Sequence, residues 1–279
     1  MLNRQELSLF KSEGYLRLKG FFPKRKIAEV LNDAKSIFFR QMLHLKYLDG
    51  NIPLKAIGET RFNQALYRMA EEKPDILFNC GKQVQHLVSL HALSLSKAVI
   101  NLLKTFGMPN PNISTRPTLF FNHPKLAKKE VYYKISAHQD WRSMQGSLNS
   151  AVVWLPLVKM TKELGPLEII PRSHIRGLIT SEVRDGFGLV SADQFNDKDF
   201  VSIEMEIGDI LVFSSFLVHR SGENLTDRPR WSCHFRYNDL DEFEFIERGY
   251  PHAYIYRPVE KLLTPNYPIN EALKKHLET

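Results

Sequence analysis

The chain has 279 residues, of which 43% are hydrophobic, 11% aromatic and 25% charged. This is the composition of an ordinary globular protein, and it excludes an intrinsically disordered or low-complexity chain. The net charge is +7, but the basic residues are scattered, and the densest run, at residues 125–129, is typical of a solvated loop. We therefore expect no nucleic-acid partner, and an anionic substrate is one explanation of the charge.

Three further features bear on cellular location. Residues 1–6 lead into mixed charge without an apolar run, so we expect no signal peptide. No apolar stretch approaches the roughly 20 residues that a membrane span needs. Cys80 and Cys233 are too few and too far apart for a disulfide framework or a zinc knuckle, which favours a reducing compartment. We expect a cytoplasmic protein without a membrane span, either a monomer or a homodimer.

The N-terminal part of the chain is predicted to be mostly helical. Hydrophobic spacing predicts a short helix, a strand, a long helix and a second helical stretch, at residues 6–14, 15–20, 24–45 and 63–104. His86 and His91 fall in the last stretch, where no carboxylate stands at metal-ligand spacing. We interpret both histidines as structural residues.

From residue 112 onward the pattern changes to short β-rich runs separated by Pro, Gly and Asn. The predicted strands cover residues 118–121, 131–135, 151–155, 167–170, 201–205, 209–213 and 231–237. Strands at this spacing indicate a mainly β fold, a sandwich or jelly roll, with the N-terminal helices packed on its outer face. We expect a single domain over residues 1–279: helical support in 1–111, a jelly-roll core in 112–240 and a C-terminal extension in 241–279.

His138 and Asp140 form the first half of a candidate metal site. Because they are two residues apart, both side chains point to the same face of a strand, where an imidazole nitrogen and a carboxylate oxygen can share one ion. His219, which follows a predicted buried strand, offers a third ligand. Two histidines and one carboxylate leave coordination positions open, as in the facial triad of non-haem iron(II) oxygenases. Zinc more often recruits a further His or Cys, and neither is suitably placed.

Arg230 is the candidate anchor for a co-substrate. An oxygenase with this triad needs a reductant beside oxygen, and a 2-oxoacid serves by chelating the iron through its keto and C1 carboxylate oxygens. A distal carboxylate on that oxoacid would pair with a fixed guanidinium. Arg230 lies in the strand after His219, and Ser232, on the same face, can add a hydroxyl. Arg228 is the alternative, but it precedes Pro229, where the strand begins.

Four segments carry a family resemblance, at residues 10–16, 138–141, 165–174 and 219–230. In this order they resemble the phytanoyl-CoA dioxygenase family of iron(II)/2-oxoglutarate enzymes. The resemblance implies a double-stranded β-helix, which is a cupin-like jelly roll. It also implies iron(II) and 2-oxoglutarate as cofactors, O2 as co-substrate, and oxidative decarboxylation to succinate and CO2 coupled to oxidation of a substrate.

The same resemblance implies further site residues. Asn122 would touch 2-oxoglutarate, unless it is a turn residue, and Trp154 would line the pocket. His174 would be structural. Halogenating relatives of this chemistry replace the carboxylate ligand with a small residue, so the presence of Asp140 favours hydroxylation. Desaturation, epoxidation or ring closure would use the same cofactors.

The substrate is expected to be a small molecule of secondary-metabolite, sugar or lipid origin. Its candidate contacts flank the metal motif or lie late in the last strand: Gln139, Trp141, Arg142, Gln145 and Arg236. Either of the two arginines could bind an anionic group, although each of the five residues also fits a surface or core role. No acyl-carrier or CoA signature is visible, and family likeness does not fix the reacting molecule.

Three other classes of protein are compatible with parts of this pattern. A cupin-like binding protein would keep the fold without a working site, a zinc hydrolase would use the three ligands without needing Arg230, and an enzyme acting on nucleic acid would need clustered basic and exposed aromatic residues. The complete ligand set, Arg230 and the scattered charge favour the oxygenase over all three.

Overall fold

A computed structural model describes residues 2–50, 52–130, 133–184 and 187–252 of the chain. Its helices are α1 (Arg4–Glu13), α2 (Lys24–His44), α3 (Glu59–Glu72), α4 (Pro74–Gln83), α5 (Val88–Ser94), α6 (Lys97–Thr105), α7 (Trp141–Met144) and α8 (Phe243–Glu247). The long helix expected from residue 24 is present, and its buried side chains recur at helical spacing. Most of the predicted C-terminal extension, from residue 253, lies outside the described residues.

The strands form an antiparallel jelly roll. They are β1 (Tyr15–Leu18), β2 (Pro111–Asn122), β3 (Ala151–Pro156), β4 (Leu167–Ile169), β5 (Ser181–Arg184), β6 (Phe187–Val190), β7 (Val201–Ser202), β8 (Ile210–Ser214), β9 (His219–Ser221) and β10 (Arg230–Asp239). The large sheet has the order β1-β8-β3-β10-β2, and a smaller sheet has the order β7-β4-β9. β5 and β6 pair as a hairpin. The β fold with packed helices that the sequence predicted is confirmed.

The two faces of the large sheet have different partners because side chains alternate along each strand. On the outer face, Val153 of β3 and Trp231 of β10 join the helical core, and Trp231 lies 6.0 Å, between ring centroids, from Phe38 of α2. On the inner face, Trp154 packs with Ile169 of the smaller sheet. The N-terminal helices therefore support the outer face and leave the inner face free for the site.

The first elements fasten the N-terminus to the large sheet. Asn3 and Glu6 form a reciprocal capping box at the start of α1, with both hydrogen bonds at 2.8 Å. Gly14 ends the helix in the left-handed region, at φ 80°. β1 then pairs with β8 as the edge strand, and the side chain of Arg17 bonds Asp209 at 2.6 Å. This pair fixes the turn that leads into β8.

Some boundaries differ from the sequence prediction. The helical stretch predicted at 63–104 is broken into separate helices, because Pro74 cannot continue α3 and instead starts α4 at its first turn. The strand predicted at 201–205 is only two residues long. Residues 133–135 are not in a strand, and residues 131–132 lie outside the described part. The β5–β6 hairpin was not predicted.

Membrane-spanning character was tested on the described helices. None of them is long and apolar enough to cross a membrane alone. One pair, Pro74–His86 with Val88–Thr105, passes the length and composition test jointly but is bent by 44°.

Candidate metal centre and co-substrate pocket

Three ligands meet where the strand-like segment before α7 crosses β9. The backbones of His138 and His219 exchange both hydrogen bonds, at 3.0 and 3.1 Å, so the two residues face each other. Asp140 directly precedes α7, and its carboxylate oxygens lie 3.8 Å from Nε2 of His138 and 3.9 Å from Nε2 of His219. One donor atom from each residue lies within 4.8 Å of the others. The structure thus brings together the three residues predicted as ligands.

Each imidazole is held in the form that a metal needs. Nδ1 of His138 lies 2.8 Å from the carbonyl of Ser136, and Nδ1 of His219 lies 2.9 Å from that of Leu217. An Nδ1–H that donates to a carbonyl leaves the Nε2 lone pair for an ion. Burial lowers the pKa of His138, and burial together with the neighbouring His138 lowers the pKa of His219 to about 3. Both rings are therefore neutral at pH 7.

Arg236 holds the third ligand. Its Nε and Nη2 donate to the two oxygens of Asp140, each at 3.1 Å. Burial raises the pKa of the Asp140 carboxyl, but Arg236 and then the two histidines outweigh it, and the pKa lies well below its usual range. The carboxylate is ionised, oriented and only partly neutralised.

These residues fit an iron(II) ion. Nε2 of His219 is buried and has no hydrogen-bond partner in the described part of the chain, which is a costly arrangement unless a ligand supplies one. A set of two imidazoles and one carboxylate is the facial triad that suits non-haem iron(II). His138, Asp140 and His219 would hold the ion, and its other positions would face the pocket.

Arg230 lies in the same pocket and lacks an acidic partner. It is 6% exposed, and its guanidinium donates to Oγ of Ser221 at 2.9 Å and to the carbonyl of Gly165. No carboxylate among the described residues forms an ion pair with it, Nε is unpartnered, and burial lowers its pKa to about 10. Arg228, the alternative anchor, is exposed. A buried cation of this kind calls for an anion.

The other predicted cofactor residues lie on the same sheet as Arg230. Asn122 is not in a turn: it is the last residue of β2, pairs with Arg230 in register, and donates to the carbonyl of Tyr133 at 3.3 Å. Trp154 is buried and lines the pocket, as does Asn122. Ser232 is buried two residues after Arg230 on the inner face. Their contact with 2-oxoglutarate stays a prediction: Asn122 lies opposite Arg230 in the sheet, and Trp154 lies opposite His234.

Gln139, a predicted substrate contact, is hydrogen-bonded within the protein. It is buried, its amide donates to the carbonyls of Gly177 and Phe216 at 2.8 and 2.6 Å, and its oxygen accepts from the backbone N–H of Ile179 at 2.8 Å. These bonds tie the loop before α7 to two other loops and use both amide hydrogens, and contact of Gln139 with a substrate stays a prediction.

The remaining substrate candidates also make contacts within the protein, and their contact with a substrate stays a prediction. The indole N–H of Trp141 donates to the carbonyl of Ser147 at 3.0 Å, and Nη2 of Arg142 donates to that of Ile179 at 2.5 Å. Gln145 is exposed at the end of α7. Arg236 lines the pocket, but its guanidinium is bound to Asp140 rather than free for an anionic substrate.

Sequence reasoning missed His234, Phe120 and Ser221, which line the same pocket. His234 is 8% exposed, and its ring lies 4.9 Å from that of Phe120, between centroids. A usable signal was present, because every second residue from Arg230 is polar while the residues between them are apolar. On a strand this alternation places His234 on the same face as Arg230.

The inner pocket is tight and adjoins a larger cavity. In this conformation it has a volume of about 20 Å³, so lining side chains must move to admit a dicarboxylate. A cavity of about 790 Å³ shares Ile135, Arg220 and Ser221 with it. Arg220 there pairs with both Glu168, at 2.7 Å, and Asp197, at 2.5 Å. These shared residues line both the larger cavity and the pocket that contains His138 and His219.

Sequence comparisons place these features in a family. The family model described as phytanoyl-CoA dioxygenase (PhyH) matches residues 10–232. Phytanoyl-CoA dioxygenase from Arabidopsis thaliana is 24% identical over 251 residues, covering 82% of this chain and 86% of its own. Methylphosphonate hydroxylase from Gimesia maris is 30% identical over 131 residues, 45% of this chain and 49% of that protein. The matching segment thus spans about half of the latter relative.

Solved structures show the same fold. The carbocyclase SnoK from nogalamycin biosynthesis superposes with a TM-score of 0.54 and 15% identity, covering 95% of this chain and 96% of that one. EctD from S. alaskensis, solved with 2-oxoglutarate and 5-hydroxyectoine, gives a TM-score of 0.53 and 14% identity, and the match covers 86% of this chain and 77% of EctD. Because the family model matches most of its length, the chain belongs to the phytanoyl-CoA dioxygenase family of iron(II)/2-oxoglutarate-dependent oxygenases.

Proposed function

We propose that the protein hydroxylates a small molecule, consuming 2-oxoglutarate and O2 and releasing succinate and CO2. The observation that carries this proposal is Arg230, a buried guanidinium without an acidic partner among the described residues, set in one pocket with His138 and His219. A triad alone would suit several metals and reactions. A triad with a buried, uncompensated cation calls for a co-substrate that has a carboxylate beyond its metal-binding end.

Each residue of the pocket has a role that follows from its position. Iron(II) and 2-oxoglutarate, when bound, supply the oxidation, in which the oxoacid loses CO2 and one oxygen atom goes to the substrate. Arg230 binds the distal carboxylate through its fork of N–H donors. Trp154 and Phe120 exclude water from the space beside it. Arg236 keeps the Asp140 carboxylate in place.

Hydroxylation is favoured over halogenation because Asp140 is present, ionised and fixed by Arg236. Two relatives have hydroxylase names: methylphosphonate hydroxylase, and 1-deoxypentalenic acid 11-beta-hydroxylase from Streptomyces arenae, which is 27% identical over 100 residues. Desaturation, epoxidation or ring closure would draw on the same pocket, and product analysis separates these outcomes.

The substrate is proposed to bind in the larger cavity beside Ser221. Acidic and basic side chains alternate there: Lys134 lies between Glu130 and Glu223, at 3.7 and 3.9 Å, as Arg220 lies between its two carboxylates. Such a lining suits a polar molecule. An anionic substrate, suggested by the net charge, is not expected to bind Arg236, because this guanidinium already pairs with Asp140, whereas Nε of Arg142 has no partner among the described residues.

The test is succinate formation from 2-oxoglutarate by iron(II)-loaded protein on admission of O2, with and without candidate substrates. We expect turnover in the wild type and its loss in His219→Ala and Arg230→Ala. Arg228→Ala is the matched control, since this neighbouring arginine is exposed. Unchanged turnover in the first two variants would contradict the site. Tight zinc binding with no iron binding at neutral pH would favour the hydrolase instead.

A further inference from the structure

His234 is a buried polar residue that none of the roles above uses. It is 8% exposed and lines the pocket together with Arg230, His219 and Arg236. Its Nδ1 is buried without a hydrogen-bond partner, and neither ring nitrogen is bonded to any residue that the structure describes. Native proteins rarely leave a buried ring nitrogen unsatisfied. The arrangement is therefore that of a group whose partner is a bound molecule.

Its place on β10 identifies the end of the pocket that it serves. Arg230, Ser232, His234 and Arg236 follow one another on the inner face, about 7 Å apart from one to the next. Arg230 is at one end of this row, and Arg236 at the other end is bonded to the metal ligand Asp140. A dicarboxylate that runs from Arg230 towards the metal ligands lies along this row, in which His234 is the residue next to Arg236 on the inner face.

The environment of the ring leaves it one hydrogen to donate. Phe120 and Trp154 meet it edge to face, with centroids 4.9 and 6.3 Å away, so apolar surfaces fix its plane. Burial, and after it Arg236, keeps the pKa of His234 well below its ordinary value. A neutral imidazole has one N–H and one lone pair.

We propose that His234 is a further co-substrate-binding residue, which donates a ring N–H hydrogen bond to the oxoacid end of 2-oxoglutarate. This inference rests on the proposed function and adds a second protein contact to that of Arg230. The two contacts serve opposite ends of the molecule. Arg230 selects for the distal carboxylate, whereas His234 would recognise the part that every 2-oxoacid shares.

That division of roles gives a direct test by binding, without turnover. Anaerobic, iron(II)-loaded protein is titrated calorimetrically with 2-oxoglutarate and with 2-oxopentanoate, which has the same chain length but no distal carboxylate. His234→Phe removes the N–H and keeps an aromatic ring, and His234→Gln restores a side-chain N–H. Arg230→Met is the contrasting variant, and Cys233→Ala, on the opposite face of the same strand, reports any general disturbance of β10.

Loss of a hydrogen bond to a charged group weakens binding by about tenfold or more. We expect His234→Phe to weaken the binding of both oxoacids by a similar factor and His234→Gln to recover part of the lost affinity. Arg230→Met should weaken the binding of 2-oxoglutarate only. Iron affinity and thermal unfolding are measured in each variant, so that loss of the metal or of the fold is recognised.

Three results would overturn the proposal. His234→Phe could bind both oxoacids as tightly as the wild type does, or it could lose affinity for 2-oxoglutarate alone. The third is a folded His234→Gln variant that binds the oxoacids as poorly as His234→Phe. A wild-type protein that loads iron but binds no 2-oxoglutarate would instead overturn the proposed function, and this inference with it. The two failures are therefore distinguishable.

Discussion

Arg236 and Asp140 form a bidentate ion pair in which both N–H donors lie 3.1 Å from a carboxylate oxygen. The guanidinium occupies one side of the carboxylate, and the two histidine Nε2 atoms lie on another, at 3.8 and 3.9 Å. The arginine thereby sets the direction from which Asp140 can meet an ion, and a planar fork does this better than an ammonium group.

Replacement of Arg236 is expected to weaken metal binding. Arg236→Gln should reduce the affinity of the site for iron(II) by about tenfold or more, the usual effect of losing a residue that orients a metal ligand. Arg236→Lys should fall between Gln and wild type, because it keeps the charge but not the bidentate geometry. Competition titration with a chromogenic chelator measures both. Wild-type affinity in Arg236→Gln would show that the ion pair does not position Asp140.

Replacement of Arg230 is expected to stabilise the ligand-free protein while removing its co-substrate site. Burial lowers the pKa of Arg230 to about 10, so its charged form is costly in the folded state at pH 7. Arg230→Met keeps much of the volume without the charge and should raise the free energy of unfolding by about 1 kcal/mol or more. Urea unfolding without ligand checks this.

The matching control is the effect of 2-oxoglutarate on the unfolding of the wild type and of Arg230→Met. In the presence of iron(II), the oxoacid should raise the melting temperature of the wild type and leave that of Arg230→Met unchanged, because only a ligand that binds the folded state stabilises it. Destabilisation of ligand-free Arg230→Met would mean that the bonds to Ser221 and Gly165 outweigh the cost of the buried charge.

The metal-free protein is expected to lose stability on mild acidification through His219. The pKa of His219 is about 3 in the folded protein and its ordinary value is 6.5. Between these two pH values the unfolded chain binds a proton that the folded chain does not bind. The free energy of unfolding should fall as the pH drops below 6.5, by about 2 kcal/mol from this group by pH 5. His219→Phe should show a shallower decline in urea titrations across that range. Parallel profiles would contradict the assignment.

Asp209 should contribute stability that is also lost on acidification, because its folded pKa, like that of His219, lies below the ordinary value. Burial raises the pKa of this carboxyl, but hydrogen bonds from Gly20, Arg17 and the backbone of Glu206 outweigh it and lower the pKa. Its contribution is present above the ordinary value of 3.8 and is lost as the pH falls through the lower folded value. Asp209→Asn should cost about 2 kcal/mol at pH 7, with a smaller difference in acid.

The control for Asp209 is an exposed ion pair from the same region. Glu206→Gln breaks the contact with Lys159, at 2.6 Å, and should leave unfolding measurably unchanged because solvent screens that pair. Equal effects of the two substitutions on denaturant midpoints would indicate that burial of Asp209 is not what matters.

Local sequence patterns predicted the main elements and the first two ligands because both depend on short spacings, and His219 was predicted from its place after a buried strand. The two-residue step between His138 and Asp140, and the position of Arg230 inside a β run, are visible without any tertiary structure. The break at Pro74 was also readable, yet the apolar spacing on either side suggested one continuous helical stretch.

Contacts between distant segments could not be predicted in this way. Arg236 was assigned to the substrate because nothing in the sequence pairs it with Asp140, and Gln139 was assigned likewise because its partners lie in two other loops. His234 was missed for a different reason: a histidine in a strand is ordinarily structural, and its unsatisfied nitrogen appears only when the packing is known.

Strand β10 is a constraint on how this protein can change in length. Arg230, His234 and Arg236 on one face of the strand line the pocket, and Trp231 and Phe235 between them belong to the helical core. One inserted residue ahead of His234 would turn every later side chain to the opposite face. Arg236 would then point into the apolar layer. Insertions or deletions of an odd number of residues should therefore preserve activity only in the loops on either side of β10, where they do not reverse the faces of the strand.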